Sequence, residues 1–288
     1  MDRTLKTLFA LLATVLLAAC ATRFPEPRPG LVFDDGLDAR TVFDRSLAAH
    51  GGDLAEVPGD FNLAMAGEWQ TLIQRIQPLV TDAGFRITAE ERFRPSERLY
   101  VVRHQGPEGH KHVVRTPDSI EVFYNGERET DPARLRATAM TTDAFQLFHF
   151  GPSLVHWRAS DMVRLADARE GGVDYRRILA TLRPGFGESR QDQVVLWIHP
   201  DSDLLFRVHL TLEGFEATQG AHVDTTFLAY ERVGRFVFPS RFDERVRGPL
   251  PISAHQWWIT ARDRDRGWTR SDVAGPDFLG RAAAPAGR

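Results

Sequence analysis

The residues best suited to chemistry are three histidines around one predicted β-turn. His104 precedes residues 105–109, and His110 and His112 follow them. Alternate residues of a strand point to one face, so His110 and His112 share a face, and we expect His104 across the turn from them. Three imidazoles suit zinc or copper. Three basic residues in the same hairpin disfavour a bound cation and leave a solvated polar hairpin as the alternative: Arg103, Lys111 and Arg115.

No other segment carries a catalytic signature. His50-Gly51-Gly52 is similar to the oxyanion loop of some esterases, but no Gly-x-Ser-x-Gly accompanies it and a helix C-cap accounts for it. The zincin helix and the phosphate-binding loop are also absent from the sequence. The sequence therefore favours a protein that is not an enzyme and needs no cofactor. A metal-dependent envelope enzyme built on the histidine hairpin is the alternative.

Aromatic side chains are abundant and suit the binding of an apolar ligand. The candidate ligand-binding rings come from a predicted helical insertion and from long predicted strands: Phe145, Phe148, Phe150, Phe206, Phe227, Phe238 and Trp257. In a half-open barrel such rings line a cavity, whereas in a closed core they only pack against each other. The sequence pattern alone does not separate these two interpretations.

The strands that position these rings lie mainly in residues 193–263. Apolar and polar residues alternate along residues 204–212 and 236–246, and turn residues such as Pro200-Asp201 separate the segments. This period of two predicts long antiparallel strands that form a barrel or a curled sheet. Shorter alternating segments over residues 61–124 and 162–182 predict further strands.

A helical insertion interrupts the strands over residues 131–150. Asp131 and Pro132 form a helix start, and Gly151-Pro152 forms a stop. Burying a large apolar side chain contributes about 1.5–3 kcal/mol, so the phenylalanines of this helix must pack against the sheet. The helix is then either a movable lid over an apolar cavity or a fixed part of the core, and both interpretations stay open.

The N-terminus predicts secretion and lipidation. Arg3 and Lys6 precede an apolar run that ends in Leu17-Ala18-Ala19-Cys20. This pattern resembles a bacterial lipoprotein signal, which implies cleavage before Cys20 and lipidation of that residue, for example with palmitate. Cys20 is the only cysteine, so no intramolecular disulfide is possible. Ala21 follows, and the resemblance to sorted lipoproteins implies delivery to the outer membrane of a Gram-negative bacterium, facing the periplasm.

Composition completes the predicted organisation. The net charge of −3 excludes the basic footprint of a nucleic-acid-binding protein. Residues 1–19 are predicted as signal peptide, 20–36 as a lipidated cysteine with a proline-rich tether, 37–270 as one domain, and 271–288 as a flexible tail.

The combination of lipidation signal, Ala49-His50-Gly51-Gly52 helix end, long strands and helical insertion resembles the LolA/LolB lipoprotein-carrier superfamily. The segment Thr226-Phe227, with Tyr230, Gly234 and Pro239, adds to this resemblance over residues 38–263. The resemblance implies an α+β, mainly β fold: an unclosed antiparallel β-barrel, with an N-terminal helix and a helical insertion covering its mouth. It implies binding of a lipid or acyl chain, and contact with other envelope lipoproteins. A structural lipoprotein without a ligand is the further alternative.

Overall fold

The computed structural model describes residues 23–275 of the chain. Cys20, the predicted signal peptide and residues 276–288 of the predicted tail lie outside this range. The helices within it are α1 (Ala39–Ala49), α2 (Thr71–Ile76), α3 (Pro78–Thr81), α4 (Pro132–Phe150), α5 (Ser153–Arg158) and α6 (Arg270–Val273). No helix in this part of the chain is both long and apolar enough to cross a membrane.

The strands form one antiparallel sheet whose edge strands, β6 and β7, do not pair with each other. Their order is β6-β5-β4-β3-β2-β1-β13-β12-β11-β10-β9-β8-β7. The strands are β1 (Phe61–Trp69), β2 (Thr88–Arg94), β3 (Leu99–Gly106), β4 (Gly109–Arg115), β5 (Ile120–Tyr124), β6 (Glu127–Arg128), β7 (Ala159–Glu170), β8 (Val173–Leu182), β9 (Asp192–Ile198), β10 (Leu205–Thr211), β11 (His222–Val233), β12 (Phe236–Gly248) and β13 (Ile252–Arg264). The predicted mainly β, unclosed antiparallel fold is confirmed.

The alternating pattern sends aromatic side chains to one face of the sheet, where they stack across neighbouring strands. Phe242 of β12 pairs with Phe227 of β11 and with Trp257 of β13. The rings of Phe242 and Trp257 lie parallel with centroids 4.6 Å apart. All three side chains are buried in the main core. Cross-strand pairs of this kind fix the register, because a slip by one residue would turn every ring towards the other face.

Helix α4 lies against this aromatic face and forms the centre of the core. Asp131 caps it by accepting hydrogen bonds from the amides of Ala133 and Arg134, at 2.7 and 3.2 Å. Gly151 ends it with φ of 71°, a conformation that glycine adopts without strain. From Ala137 onward almost every side chain of the helix is buried. A helix buried on all sides is surrounded by protein, and here the curled sheet surrounds it.

The segment that precedes α1 packs on the opposite face of the sheet. The ring of Phe24 lies 4.8 Å from that of His209, and Asp35 accepts a hydrogen bond of 2.9 Å from Arg176. The described part of the predicted tether therefore follows the sheet rather than extending away from it. At the other end, Trp268 and Val273 are buried in a small apolar cluster beside β3 and β4. The domain limits inferred from the sequence stay predictions.

Candidate ligand cavity

An apolar cavity of about 220 Å³ lies between helix α4 and the strands β10 to β13. Helix α4 contributes Met140, Thr141, Ala144, Phe145 and Phe148, and short helices complete the wall. The remaining lining residues are Trp69, Ile73, Ile76, Gln77, Val80, Thr81, Leu210, Leu212, Ala217, Thr218, Gln219, Ala221, Val223, Glu244, Val246, Pro249, Leu250, Ile252 and Ala254. Four alanines are among the lining residues, and the space is larger than the roughly 150 Å³ that holds one benzene.

The cavity opens between α2, α3 and the turn that joins β12 to β13. Two lining residues at this opening are substantially exposed, Ile76 at 47% and Leu250 at 39%. Pro78 separates α2 from α3, because a proline cannot donate the amide hydrogen that a continuous helix needs. The short helices thus form an apolar rim, and an apolar ligand could reach the interior without crossing a polar barrier.

Glu244 is the ionisable residue of the cavity lining among the described residues. It is half-buried on β12, between Phe242 and Val246. Burial raises the pKa of Glu244 to about 7, because the apolar surroundings disfavour the carboxylate, while the positive charge of Arg86 opposes the rise. A carboxyl group of this kind changes its charge near neutral pH.

Arg86 lies beside the cavity but is separated from it by aromatic rings. Its guanidinium carbon lies 5.1 Å from the ring centroid of Trp69 and 4.8 Å from that of Phe145. Its Nη1 donates a hydrogen bond of 2.8 Å to the carbonyl of Val80. Burial lowers the pKa of Arg86, and the negative charges of Asp82 and Glu244 oppose this. Cation–π contacts and a backbone acceptor thus hold the charge away from a ligand in the cavity.

A buried polar cluster fills the interior beyond Phe145. Lys111 donates hydrogen bonds to Asp82 at 2.7 Å and to Thr138 of α4 at 2.9 Å. Burial lowers the pKa of Lys111 to about 8, although the Asp82 carboxylate opposes the shift. Glu91 contacts His149 Nδ1 at 2.8 Å. The space left in this cluster is about 10 Å³, too little for a ligand larger than a single water.

The structure divides the predicted ligand-binding aromatic residues into three groups. Phe145 and Phe148 line the cavity. Four others are buried in the core away from the cavity: Phe150, Phe227, Phe238 and Trp257. Phe206 is absent from both sets and stacks on Tyr175, with ring centroids 4.1 Å apart. An irregularity in the pairing between Leu205 and Arg207 disturbs the simple alternation of β10, so Phe206 lies away from the cavity.

The strand register separates the three histidines of the alternative metal site. His104 pairs with Lys111, while His112 pairs with Arg103 and His110 with Gln105. Directly paired residues share a face, so His104 points to the opposite face from His110 and His112. Within residues 23–275 no group of three or more His, Cys, Asp or Glu residues has the geometry to hold a metal. The three histidines are close in the sequence, but the alternation of side chains along the paired strands places His104 on one face of the sheet and His110 and His112 on the other.

Helix α4 lines the inner wall of the cavity rather than its opening. Buried polar contacts tie it to the sheet at several points, including the pair of Asp143 with Arg115 at 2.9 Å and the hydrogen bond from Trp257 to His149 at 2.9 Å. These contacts favour the fixed-core interpretation of residues 131–150 over the movable lid. The exposed rim is formed by α2 and α3, whose function the sequence pattern did not reveal.

Sequence reasoning also missed Glu244, although a signal for it was present. Phe238, Phe242 and Val246 occupy the inward positions of β12, and Glu244 occupies the same alternation. A lone acidic residue among inward apolar positions is unusual, because burying an unpaired charge is costly. The pattern of β12 therefore contained a candidate binding group that the aromatic residues concealed.

No family model matches this chain, and no curated protein matches it. Several solved structures resemble it. A LolA superfamily protein from Nitrosomonas europaea is 9% identical over 84% of this chain and all of its own, with a TM-score of 0.48. A DUF1329 family protein from Desulfovibrio piger is 10% identical over 82% of this chain and 97% of its own, also at 0.48.

A further similar structure is named as a domain for outer membrane lipoprotein sorting, from Vibrio parahaemolyticus. It is 9% identical over 82% of this chain and 97% of its own, with a TM-score of 0.43.

Proposed function

We propose that this chain is a membrane-anchored envelope lipoprotein that binds the hydrocarbon part of an amphiphile in the cavity beside α4. The observation that carries this proposal is the cavity itself: about 220 Å³ of space, lined mostly by aliphatic and aromatic side chains and open at an apolar rim. Ligand pockets are typically concave and apolar with few polar groups, and this one fits that description.

The energetics of the cavity favour a hydrocarbon chain as its occupant. Each methylene that leaves water for an apolar site contributes about 0.8 kcal/mol, so a chain of several methylenes offsets the entropy lost on binding. Phe145 and Phe148 supply broad apolar surfaces on the helix side, and Val223 and Val246 supply them on the sheet side. A short or medium acyl segment is the ligand that best matches these walls.

The contacts of the N-terminal segment support an anchor close to the domain. Phe24 packs near His209 on the face of the sheet that is turned away from α4. Cys20 is four residues earlier, and four extended residues span at most about 14 Å. A lipid on Cys20 would therefore hold this face near the membrane surface and leave the cavity rim on another side of the molecule.

Fractionation tests the anchor. We expect the unmodified chain in the membrane fraction after a salt wash and Cys20→Ser in the soluble fraction, because the acyl chains provide the anchorage. Retention of Cys20→Ser in washed membranes would contradict lipidation at this residue as the basis of anchoring.

Ligand binding is tested with full-length Cys20→Ser protein, in which lipidation is blocked. Solvent extraction followed by mass spectrometry identifies any co-purified lipid, and titration with a fluorescent medium-chain alcohol measures binding. We expect Phe148→Ala to change the affinity several-fold, because this ring lines the cavity. Phe206→Ala is the matched control, because it also removes a phenyl ring, but one that stacks on Tyr175 away from the cavity.

If no lipid co-purifies and the probe does not bind, the cavity function is contradicted and the protein is a structural lipoprotein without a ligand. Equal effects of Phe148→Ala and Phe206→Ala would place the bound probe elsewhere on the protein.

A further inference from the structure

Glu244 differs from most of the other polar residues of the cavity lining in lacking a hydrogen-bond or ion-pair partner. Several of the others donate hydrogen bonds to backbone carbonyls: Gln77 to Ala217, Thr81 to Gln77, Thr141 to Ala137 and Thr218 to Leu212. For Glu244 no hydrogen bond or ion pair occurs within the described residues. It is therefore the ionisable group of the described lining that is available to a ligand.

The charged and titratable groups around Glu244 come from three strands and from the loop before β2. Arg86 attracts the carboxylate from behind the ring of Phe145, while Asp224 on β11 and Asp243 on β12 repel it. His255 pairs with Glu244 on β13, and burial keeps its pKa well below the usual value, so it is neutral. Burial is the largest influence and, with the two aspartates, outweighs Arg86, which gives Glu244 a pKa of about 7.

The position of Glu244 along β12 places it towards the inner end of the cavity. Pro249 and Leu250 follow β12 at the rim, Val246 lies further in, and Glu244 comes next. Beyond it, Phe242 is stacked on Trp257 and closes the space. A ligand that reaches Glu244 must therefore place its polar end inside and its hydrocarbon along the wall towards the rim.

We propose that Glu244 recognises the protonated amine of a single-chain amphiphile whose hydrocarbon fills the cavity between this carboxylate and the rim. This inference rests on the proposed function of the cavity. An ammonium group gives the carboxylate the charge-assisted hydrogen bond that the protein does not supply, in surroundings where such bonds are strong. A carboxylate ligand would instead meet a like charge, and Arg86 cannot compensate because two rings and its bond to Val80 hold it back.

The test compares three ligands with the same twelve-carbon chain, titrated into full-length Cys20→Ser protein below their micelle concentrations. Dodecylamine is cationic at pH 8, dodecanol is neutral and dodecanoate is anionic. We expect dodecylamine to bind about tenfold more tightly than dodecanol at pH 8, as one charge-assisted hydrogen bond provides. At pH 5.5 Glu244 is mostly protonated, so this preference shrinks and dodecanoate binding improves.

Glu244→Gln should abolish the preference for the amine at pH 8, so that dodecylamine and dodecanol bind with affinities within about twofold of each other. Asp243→Asn is the matched control, because it removes a neighbouring carboxylate that pairs with Arg245 and Gln256 and does not line the cavity. Thermal melts of both variants confirm folding. Comparing the affinities for lysophosphatidylethanolamine and lysophosphatidylglycerol shows whether the recognised amine is that of a lipid head group or of a simple alkylamine. Amine-dependent binding among the lysolipids or among the twelve-carbon ligands supports the proposal.

Binding of dodecanol without any preference for dodecylamine overturns the role of Glu244 and leaves the cavity function intact. Preferential binding of dodecanoate that is unchanged in Glu244→Gln overturns it in the same way. If none of the three ligands binds, the proposed function of the cavity fails together with this inference.

Discussion

The two sides of helix α4 meet opposite environments within the same sheet. On the anchored side, Asp143 accepts hydrogen bonds from Arg115 at 2.9 Å, from Arg158 at 3.0 Å and from the amide of Gly187 at 2.9 Å. On the cavity side, Ala144 and Phe148 face about 220 Å³ of empty space. One helix therefore provides both the fixed centre of the fold and a wall of the binding cavity.

This difference shows how a domain can keep a cavity without losing its core. Directional contacts on the anchored side hold the helix at a defined distance from the sheet, because ion pairs and hydrogen bonds require fixed geometry. With the helix held there, small residues such as Ala217, Ala221 and Ala254 leave the opposite side unfilled. In an ordinary core the helix would move towards the sheet and close this space.

The anchored side should be the most sensitive to substitution. Asp143→Asn leaves Arg115 and Arg158 without their carboxylate, and breaking such a buried pair costs about 3–5 kcal/mol. We expect a correspondingly lower free energy of unfolding in urea at pH 7. The control is Asp44→Asn, which removes an exposed pair with Arg40 and should change stability little. Equal effects of the two variants would show that the anchored side does not fix the helix.

The pH dependence of the same contact sharpens this test. Burial raises the pKa of Asp143, but the hydrogen bonds and charges of Arg115 and Arg158 outweigh burial, so the net pKa lies below the usual value. A depressed pKa gives stability that is present above the unfolded value of about 4 and is lost as the pH falls further. The difference in the free energy of unfolding between wild type and Asp143→Asn should therefore become smaller below about pH 4.

On the cavity side, the charge of Glu244 should lower the stability of the fold, whereas the charge of Asp143 raises it. Its folded pKa of about 7 exceeds the ordinary value of 4.5, so the folded chain binds the proton more tightly and loses stability as pH rises between these values. Glu244→Gln removes this loss. We expect the variant to gain up to roughly 3 kcal/mol relative to wild type between pH 4.5 and pH 8, measured by urea unfolding. If the difference in the free energy of unfolding between Glu244→Gln and wild type stayed constant over this pH range, it would contradict the placement of the Glu244 carboxyl group in an apolar cavity.

The smallest change in stability should come from filling the cavity. Ala254→Leu adds apolar atoms to the lining, and the gained contacts offset the local crowding, so we expect a change within about 1 kcal/mol. Binding of dodecanol should nevertheless fall at least about tenfold, because the added side chain occupies the ligand space. Ala261→Leu on the exposed part of the same strand is the control. Unchanged affinity in Ala254→Leu would place the ligand outside the cavity.

Much of the fold was predictable because its determinants are local. The alternation along residues 236–246 reflects contacts that each strand repeats every two residues, and Asp131 and Gly151 mark the ends of α4 through hydrogen bonds within a few residues. The strand β5 (Ile120–Tyr124) lies within residues 61–124, where the alternation predicted strands. Residues 71–81 form two short helices that rim the cavity, and Pro78 begins the second of them.

The candidate site was only partly predictable, because it depends on distances between elements. The sequence by itself determined the curled antiparallel sheet, the helical insertion and its supply of buried rings, since periodicity and capping act over a few residues. Only the tertiary structure decided that Phe145 and Phe148 face a cavity while Phe150 and Phe238 fill the core, and that His104 points away from His112. Those outcomes follow from strand register and from the ion pairs that position α4, which join residues far apart in the chain.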